Sequence, residues 1–565
     1  MIGAAQTGPS VPFRDNLWRR RNLASDHAQA YNQRVSARAD AAGLGRRRQE
    51  CEGAKPRPGQ EKRNVSRAQK SAPPRIDSLS AGAGRIGLVL WPGEKAGRRD
   101  LEADLAVLVG WRPTVLVSLL EAAELKALKG LRPEVRFEAE ALEWRHLPLR
   151  EHRPPDARFE RAWIFAGAEL RDLLSRGARI LLHCTGDGGR AAFLAARLLV
   201  EMGEDPETAW RKVRSVRPGG AEGLNEAGPV LAPETPGEDP DRLSRRIACM
   251  AAGAVGDAMG SAVAFLKASE IQRRYGDAGV QVPEFDAAGR IRVSDDTQMA
   301  LFAAQGLIRA GDRSTEARTV GQRLALLDWL ETQEGSFIPG RAGLLAHPSM
   351  WVRRGPGRTC LSALRAGGRG DLVRPINDSP GCGAVTRSAP AGLLPDVTPQ
   401  SAFEIGVRGA ALTHGHPSGH LPAGALAALV AHLMTGRGLD ESWAAARSLL
   451  ALNPGARQTL ELTDRAVDLA GRPRIPDVEG IRRLGPGRTG PEALAIALFA
   501  ALRGEDLLDT LRIASNHDGN SGSIAAIAGN IRGAEEGLFG LPLAWILALD
   551  VLDPLAEVVS LWPVT

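Results

Sequence analysis

Two places in this 565-residue chain gather residues that can do chemistry together. The first is Ser294-Asp295-Asp296-Thr297, a hydroxyl and two adjacent carboxylates followed by the largely apolar run Met299 to Ile308. No basic residue follows the pair until Arg309. Two readings fit: acids answering the positive end of a helix, or hard oxygen ligands for a divalent cation. The second place is His183-Cys184-Thr185-Gly186-Asp187-Gly188-Gly189-Arg190, a cysteine closing an apolar run, a glycine-rich loop, and an arginine that opens the run Ala191 to Met202. A loop of this kind turns amides and a helix N-terminus toward an anion. The same field lowers a thiol pKa, and the guanidinium grips two phosphate oxygens.

The elements that must position these groups differ in the two halves. Around Cys184 the sequence alternates strand and helix patterns: Arg85 to Leu90, a helix from Asp100, Thr114 to Leu120, Trp144 to Leu149, and Ala178 to His183. This predicts an α/β domain with a covered sheet. Beyond Arg242 nearly every segment reads as helix, including Arg245 to Met259, Gln298 to Ala310, Leu421 to Met434 and Pro491 to Leu502. Ala-rich helices joined by Gly and Pro turns predict an all-α domain. Residues 218–240 fill with Pro, Gly and Glu and lose their period, so a linker is placed at 230–241. The predicted fold class is multidomain: a basic disordered tail at 1–84, an α/β domain at 85–229, and an all-α domain at 242–565.

Charge narrows the partners. The chain carries a formal +6, but residues 1–84 hold sixteen Lys or Arg against seven Asp or Glu, a net of +9 that leaves −3 for the rest. The basic character belongs to the tail, so nucleic acid is not expected as a partner. Five scattered cysteines without CxxC spacing predict neither a disulfide framework nor a zinc site, which fits a reducing cytoplasm. No apolar run of membrane-spanning length and no signal-sequence pattern is present, so no membrane partner is expected.

With Gly253-Ala254-Val255-Gly256-Asp257-Ala258-Met259-Gly260, Asn377 to Arg387, Thr413-His414-Gly415-His416-Pro417 and Asn516 to Ser523, the Asp295-Asp296 stretch resembles the ADP-ribosylglycohydrolase family, including the enzymes that reactivate dinitrogenase reductase. The resemblance runs from Arg242 to the C-terminus. It implies hydrolysis of an ADP-ribosyl bond to a protein side chain or small acceptor, two Mg²⁺ ions, and metal ligands at Ser294, Asp295 and Asp296 on one wall. The other wall departs from the family. Asn520 and Gly522 stand where relatives have aspartates, Ser523 keeps a hydroxyl, and Ala264 replaces a common glutamate. At least one ion is therefore weakened, and Asp518 offers a substitute carboxylate. Substrate contacts are implied along Gly381-Cys382-Gly383 and at His414. Asp257, between glycines, is expected to fix a helix through backbone hydrogen bonds.

The Cys184 loop, with Trp91-Pro92-Gly93, Leu119-Leu120-Glu121 and Val216-Arg217-Pro218-Gly219, resembles the cyclin-dependent-kinase-inhibitor-associated branch of the dual-specificity phosphatases. That resemblance covers Gly84 to Pro229 and implies a phosphorylated substrate. Cys184 would be the nucleophile and Arg190 the transition-state clamp, with Gly186, Gly188 and Gly189 lining the cradle. Glu151 occupies the general-acid position, and Asp156 lies nearby. Thr185 and Asp187 replace a lysine and a glycine of relatives, which removes one positive charge and adds one negative charge beside a site for a dianion. Two expectations stand: a phosphatase joined to an ADP-ribosylglycohydrolase, or phosphate- and ADP-ribose-binding modules with impaired chemistry.

Overall fold

The computed structural model describes residues 74–90, 101–127, 142–218, 239–311 and 314–562. The basic tail up to residue 73, Trp91-Pro92-Gly93 and residues 230–238 of the expected linker lie outside the described residues, while the last two linker residues, Pro240 and Asp241, already belong to a helix that Asp239 caps. Two compact units form, one from Met1–Pro154, Gly177–Leu199 and Glu204–Leu231, the other from Pro155–Arg176, Val200–Gly203 and Ala232–Thr565.

The first unit holds a five-stranded sheet. Its elements are β1 (Ile76–Ala81), β2 (Gly84–Leu90), α1 (Leu101–Gly110), β3 (Val115–Ser118), α2 (Ala122–Ala127) and β4 (Glu143–His146). After α3 (Ala157–Ser175) come β5 (Arg179–Cys184), α4 (Gly189–Glu201) and α5 (Pro206–Val216). The strand order is β1-β2-β5-β3-β4, antiparallel between β1 and β2 and parallel elsewhere. Leu182 of β5 pairs with Leu88 on one side and Val117 on the other. Cys184 therefore ends the central strand, at the carboxyl edge where loops of a parallel sheet collect ligands.

Two sequence expectations are corrected here. Disorder to residue 84 is wrong from Ile76 onward: β1 adds to the β2 edge through Ser78↔Gly87 and Ser80↔Arg85. A short, polar strand like Ile76–Ala81 has no signal of its own and is ordered by the edge it meets. The second concerns α3, expected inside 85–229. It packs within the second unit, where Arg161 pairs with Asp553 at 2.8 Å and Arg176 pairs with Asp241. Its apolar face is legible in the sequence, but which core receives that face is not.

The second unit is helical, as expected. After α6 (Pro240–Ser261) and α7 (Ala268–Tyr275) come α8 (Asp295–Arg309), α9 (Thr315–Glu334) and α10 (Arg358–Arg365). They are followed by α11 (Ala389–Gly392), α12 (Pro399–Ala411), α13 (Pro417–Leu433), α14 (Leu439–Ala451) and α15 (Arg457–Ala470). The last are α16 (Asp477–Arg482), α17 (Gly490–Arg503), α18 (Leu507–Ser515), α19 (Ser521–Glu536), α20 (Leu543–Ala548) and α21 (Leu552–Ser560). Helices α6 and α19 form the core pair, and they meet backbone to backbone. A Cβ on Gly256 would collide with the Ala525 carbonyl, and one on Gly529 with the Ala252 carbonyl. Because rigid backbone stands at both contacts, Gly256→Ala is expected to cost about 1–3 kcal/mol. Thermal unfolding should register that as a lowered Tm.

Among the described residues no helix is long and apolar enough to cross a membrane.

Candidate functional site

The α6–α19 contact positions the acidic pair. Asp257, buried on α6, accepts at Oδ2 from the Ser294 amide (2.8 Å), the Thr297 amide (3.3 Å) and the Thr297 hydroxyl (2.5 Å). The Ser261 hydroxyl donates to its other oxygen at 2.8 Å. Asp257 thus caps α8 from a neighbouring helix, while Ser294 caps it locally by accepting from the Asp296 amide at 3.1 Å. The Ser294 side chain is committed to this cap. Asp295 and Asp296 then stand in the first turn.

Their environments differ. Asp295 Oδ2 accepts from the Gly357 amide at 3.1 Å. Asp296 accepts from Thr386 Oγ1 at 2.9 Å and from Ser523 Oγ at 2.6 Å. Burial, then the charge of Asp296, pushes the Asp295 carboxyl well above the ordinary 3.8; burial, then Asp257, pushes Asp296 upward. No salt bridge reaches either carboxylate among the described residues. Two half-buried carboxylates in the same turn, with the charge of the nearby Arg387 only partly opposing the rise of Asp296, are expensive unless protonated or joined to a cation.

On the opposite wall, Asn520 Nδ2 donates to Ser523 Oγ at 2.9 Å and to Cys382 Sγ at 3.3 Å. Asn520, which precedes α19, and Ser523, in its first turn, are therefore brought to the pair. Asp518 is not. Its Oδ1 accepts from the Ala268 amide (2.5 Å) and its Oδ2 from Arg482 Nε (2.7 Å). Burial works to raise the Asp518 carboxyl, but Arg482 and the amide outweigh it and hold it below its ordinary value. The substitution expected of Asp518 is absent because an arginine and a helix start already claim it.

This donor set fits one hard divalent ion. Two carboxylates, the Thr386 and Ser523 hydroxyls and the Asn520 carbonyl are oxygen ligands, and an ion such as Mg²⁺ keeps several waters when held by only two carboxylates. The set does not fit two ions, since Gly522 brings no side chain and Asp518 points elsewhere. Thr386 and Gly357 were missed by sequence reasoning. Thr386 lies inside the motif Asn377 to Arg387, where its neighbours drew attention; Gly357 sits in a loop with no local signal.

His414 is buried, and burial, then Arg387 and His420, drives it down to about 3, so its ring is neutral. Its Nδ1 lies 2.8 Å from Thr413 Oγ1, and a Cβ on Gly381 would meet its Nε2 at 3.4 Å. The ring thus supports the Gly381-Cys382-Gly383 turn from beneath. The buried Arg387 spans the same turn, donating to Gly383 O (3.0 Å), Gly409 O (3.2 Å) and Thr413 Oγ1 (2.8 Å).

The family profile of the ADP-ribosylglycohydrolases matches residues 238–564, more than half of the chain. The chain belongs to the ADP-ribosylglycohydrolase family. That membership supports a hydrolase acting on ADP-ribosylated substrates. An uncharacterized protein of Archaeoglobus fulgidus is 25% identical over 320 residues, 55% of this chain and 93% of that protein. Among solved structures, an ADP-ribosylglycohydrolase-related protein complex is 24% identical and covers 57% of this chain and 98% of its own, with a TM-score of 0.38. A kinase associated phosphatase whose catalytic-site cysteine is replaced by serine is also 24% identical, covering 27% of this chain and 88% of its own, with a TM-score of 0.24.

Outside the stretch that the family profile matches, the first unit carries the second set of candidates. Cys184 is fully buried. Burial pushes its thiol up to about 11, although the Ala191 amide, Arg190 and Arg217 pull the other way. The expected lowering of the thiol pKa is thus reversed, because loss of water outweighs the loop field. Arg190 is tied down by Glu124, through Nη1 to Oε2 at 2.7 Å and Nη2 to Oε1 at 2.9 Å, and Nη2 also donates to Thr185 Oγ1 at 2.9 Å. Glu124 went unnoticed in the sequence because it lies sixty residues upstream in a short helix. Glu151 lies against the loop: its carboxylate occupies the place a Cβ on Gly186 would need, and Gly186 and Gly188 both have positive φ. Asp187 Oδ1 accepts from the Gly189 amide at 2.8 Å. Asp156 instead caps α3, accepting from the Phe159 amide at 2.9 Å.

Proposed function

We propose that the second unit hydrolyses an ADP-ribosyl bond to a protein side chain or small acceptor, using one Mg²⁺-class ion held by Asp295 and Asp296. The observation that carries this reading is the half-buried carboxylate pair, which no salt bridge reaches among the described residues, faced by Thr386, Ser523 and Asn520. A bound ion would supply a polarised, more acidic water and a fixed positive charge beside the ribose. The chain's own residues do the rest. Asp295 and Asp296 fix the ion's place, Thr386 and Ser523 orient the Asp296 oxygens, and Asp257 holds the α8 start rigid through three hydrogen bonds. The Gly381-Cys382-Gly383 turn, propped by His414 and Arg387, offers backbone to the substrate.

The test is release of ADP-ribose from ADP-ribosylated arginine and serine peptides in Mg²⁺. The wild-type chain should turn over, and an Asn520→Asp, Gly522→Asp variant should do so at lower Mg²⁺ concentration because it restores two carboxylates. Turnover by the variant alone would overturn the hydrolase reading and leave a receptor for ADP-ribose.

A second reading concerns the first unit. The run from β5 through the Cys184 loop into α4 supports a cysteine-dependent phosphatase-like cradle, with Cys184 as the nucleophile, Arg190 as the clamp and Glu151, the acid lying on the loop, as proton donor. The buried thiol and the carboxylates already engaged with the loop favour anion binding with weak chemistry over efficient turnover.

A further inference from the structure

At the mouth of the Cys184 loop, Glu151, His152 and Asp187 each bring one ligand atom to within 4.8 Å of the other two. Among the described residues no other three His, Cys, Asp or Glu side chains meet so closely. His152 Nε2 lies 3.9 Å from Asp187 Oδ2, the oxygen left over once Asp187 Oδ1 has accepted from the Gly189 amide. Glu151 is held against Gly186 from the other side. An imidazole and two carboxylates therefore face one point in the first unit, all reachable from solvent.

Their charge is the wrong sign for what lies beneath. The loop amides and the α4 N-terminus form an anion cradle, and Arg190, only 4% exposed, has an Nε–H without a partner among the described residues. That buried donor calls for an acceptor which Glu124, engaged at the two terminal nitrogens, does not supply. A phosphate entering to meet it would pass two carboxylates. A cation between those carboxylates removes the conflict.

We propose that Glu151, His152 and Asp187 bind a divalent cation of borderline type, Mn²⁺ or Zn²⁺, at the mouth of the cradle. One nitrogen and two carboxylate oxygens suit such ions, and three protein ligands leave positions open for further oxygens. A phosphate held by the loop amides and Arg190 supplies one of them, so the cation joins the anion to the protein and replaces the charge lost at Thr185 and Asp187. As a ligand Glu151 stays ionised, which removes it as a proton donor while the ion is bound. The inference is independent of the ADP-ribosyl reading, since it concerns the other unit.

The experiment uses the full chain carrying Asp295→Asn and Asp296→Asn, which silences the second unit's ion. Mn²⁺ uptake is followed by loss of the free-ion paramagnetic resonance signal and Zn²⁺ uptake by calorimetry; inorganic phosphate is then titrated with and without the ion. One equivalent should bind, weakened at least tenfold by His152→Ala and by Asp187→Asn, and phosphate should bind at least tenfold tighter when the ion is present. These surface substitutions should leave Tm unchanged. No uptake by the background chain, unaltered uptake by both variants, or phosphate binding indifferent to the ion would each overturn the proposal.

Discussion

Replacing Asp295 by Asn should lower ADP-ribose release by roughly a hundredfold or more while making the metal-free chain more stable. The loss follows from removing one of two carboxylates from a site that has no third to spare: outer partners of metal ligands already cost 10–100-fold when removed, and a direct ligand costs at least about as much. The gain follows from the same geometry. Asp295 is pushed above its ordinary 3.8 by burial and by Asp296, so the folded chain binds protons that the unfolded chain has released. Its contribution to stability is complete below about pH 4 and is lost as pH rises through the elevated folded value of about 8. At pH 8 Asn removes the repulsion, worth on the order of 2 kcal/mol, and Tm should rise by a few degrees. Mg²⁺ should stabilise the wild-type chain and leave the variant unmoved. A variant that loses stability at pH 8 without metal would mean that the pair is not held as two charges in conflict.

The second large effect is a pH profile. Hydrolysis of p-nitrophenyl phosphate that depends on Cys184 should climb about tenfold per pH unit between pH 7 and 10, because only the thiolate attacks and the thiol sits near 11. Cys184→Ser should show no such climb. The cause is specific: the Cys184 sulfur is fully buried at the end of β5, and the Ala191 amide and the two nearby arginines recover only part of the cost. A Cys184-dependent rate that peaks below pH 7 would place a thiolate in the resting loop and contradict the burial argument. Activity equal in the wild-type chain and Cys184→Ser would remove Cys184 from the chemistry altogether.

Local pattern carried much of this protein. Helical periodicity after Arg242 made the second unit's class legible, and strand runs alternating with helices did the same for the sheet. The C-terminal motifs marked segments that meet at the acidic pair, and Asn520 and Gly522 stand where the family resemblance implies carboxylates. The capping role of Asp257 was readable because a carboxylate between glycines on a close-packed helix has few other uses.

Other features depended on which distant groups arrive at a point. Thr386 and Gly357 reach Asp296 and Asp295 across gaps of 90 and 62 residues, and no short-range pattern encodes a loop's final approach. Asp518 looked available until Arg482 and the α7 start took its two oxygens. The direction of the Cys184 shift turned on burial, which depends on what packs over a strand end rather than on the residues flanking it. The allegiance of α3 was undecidable for a related reason: an amphipathic stripe demands a core but does not name one. Sequence periodicity sets what each element needs, because side-chain chemistry is local; three-dimensional packing decides which partner answers, because desolvation and hydrogen bonding act through space.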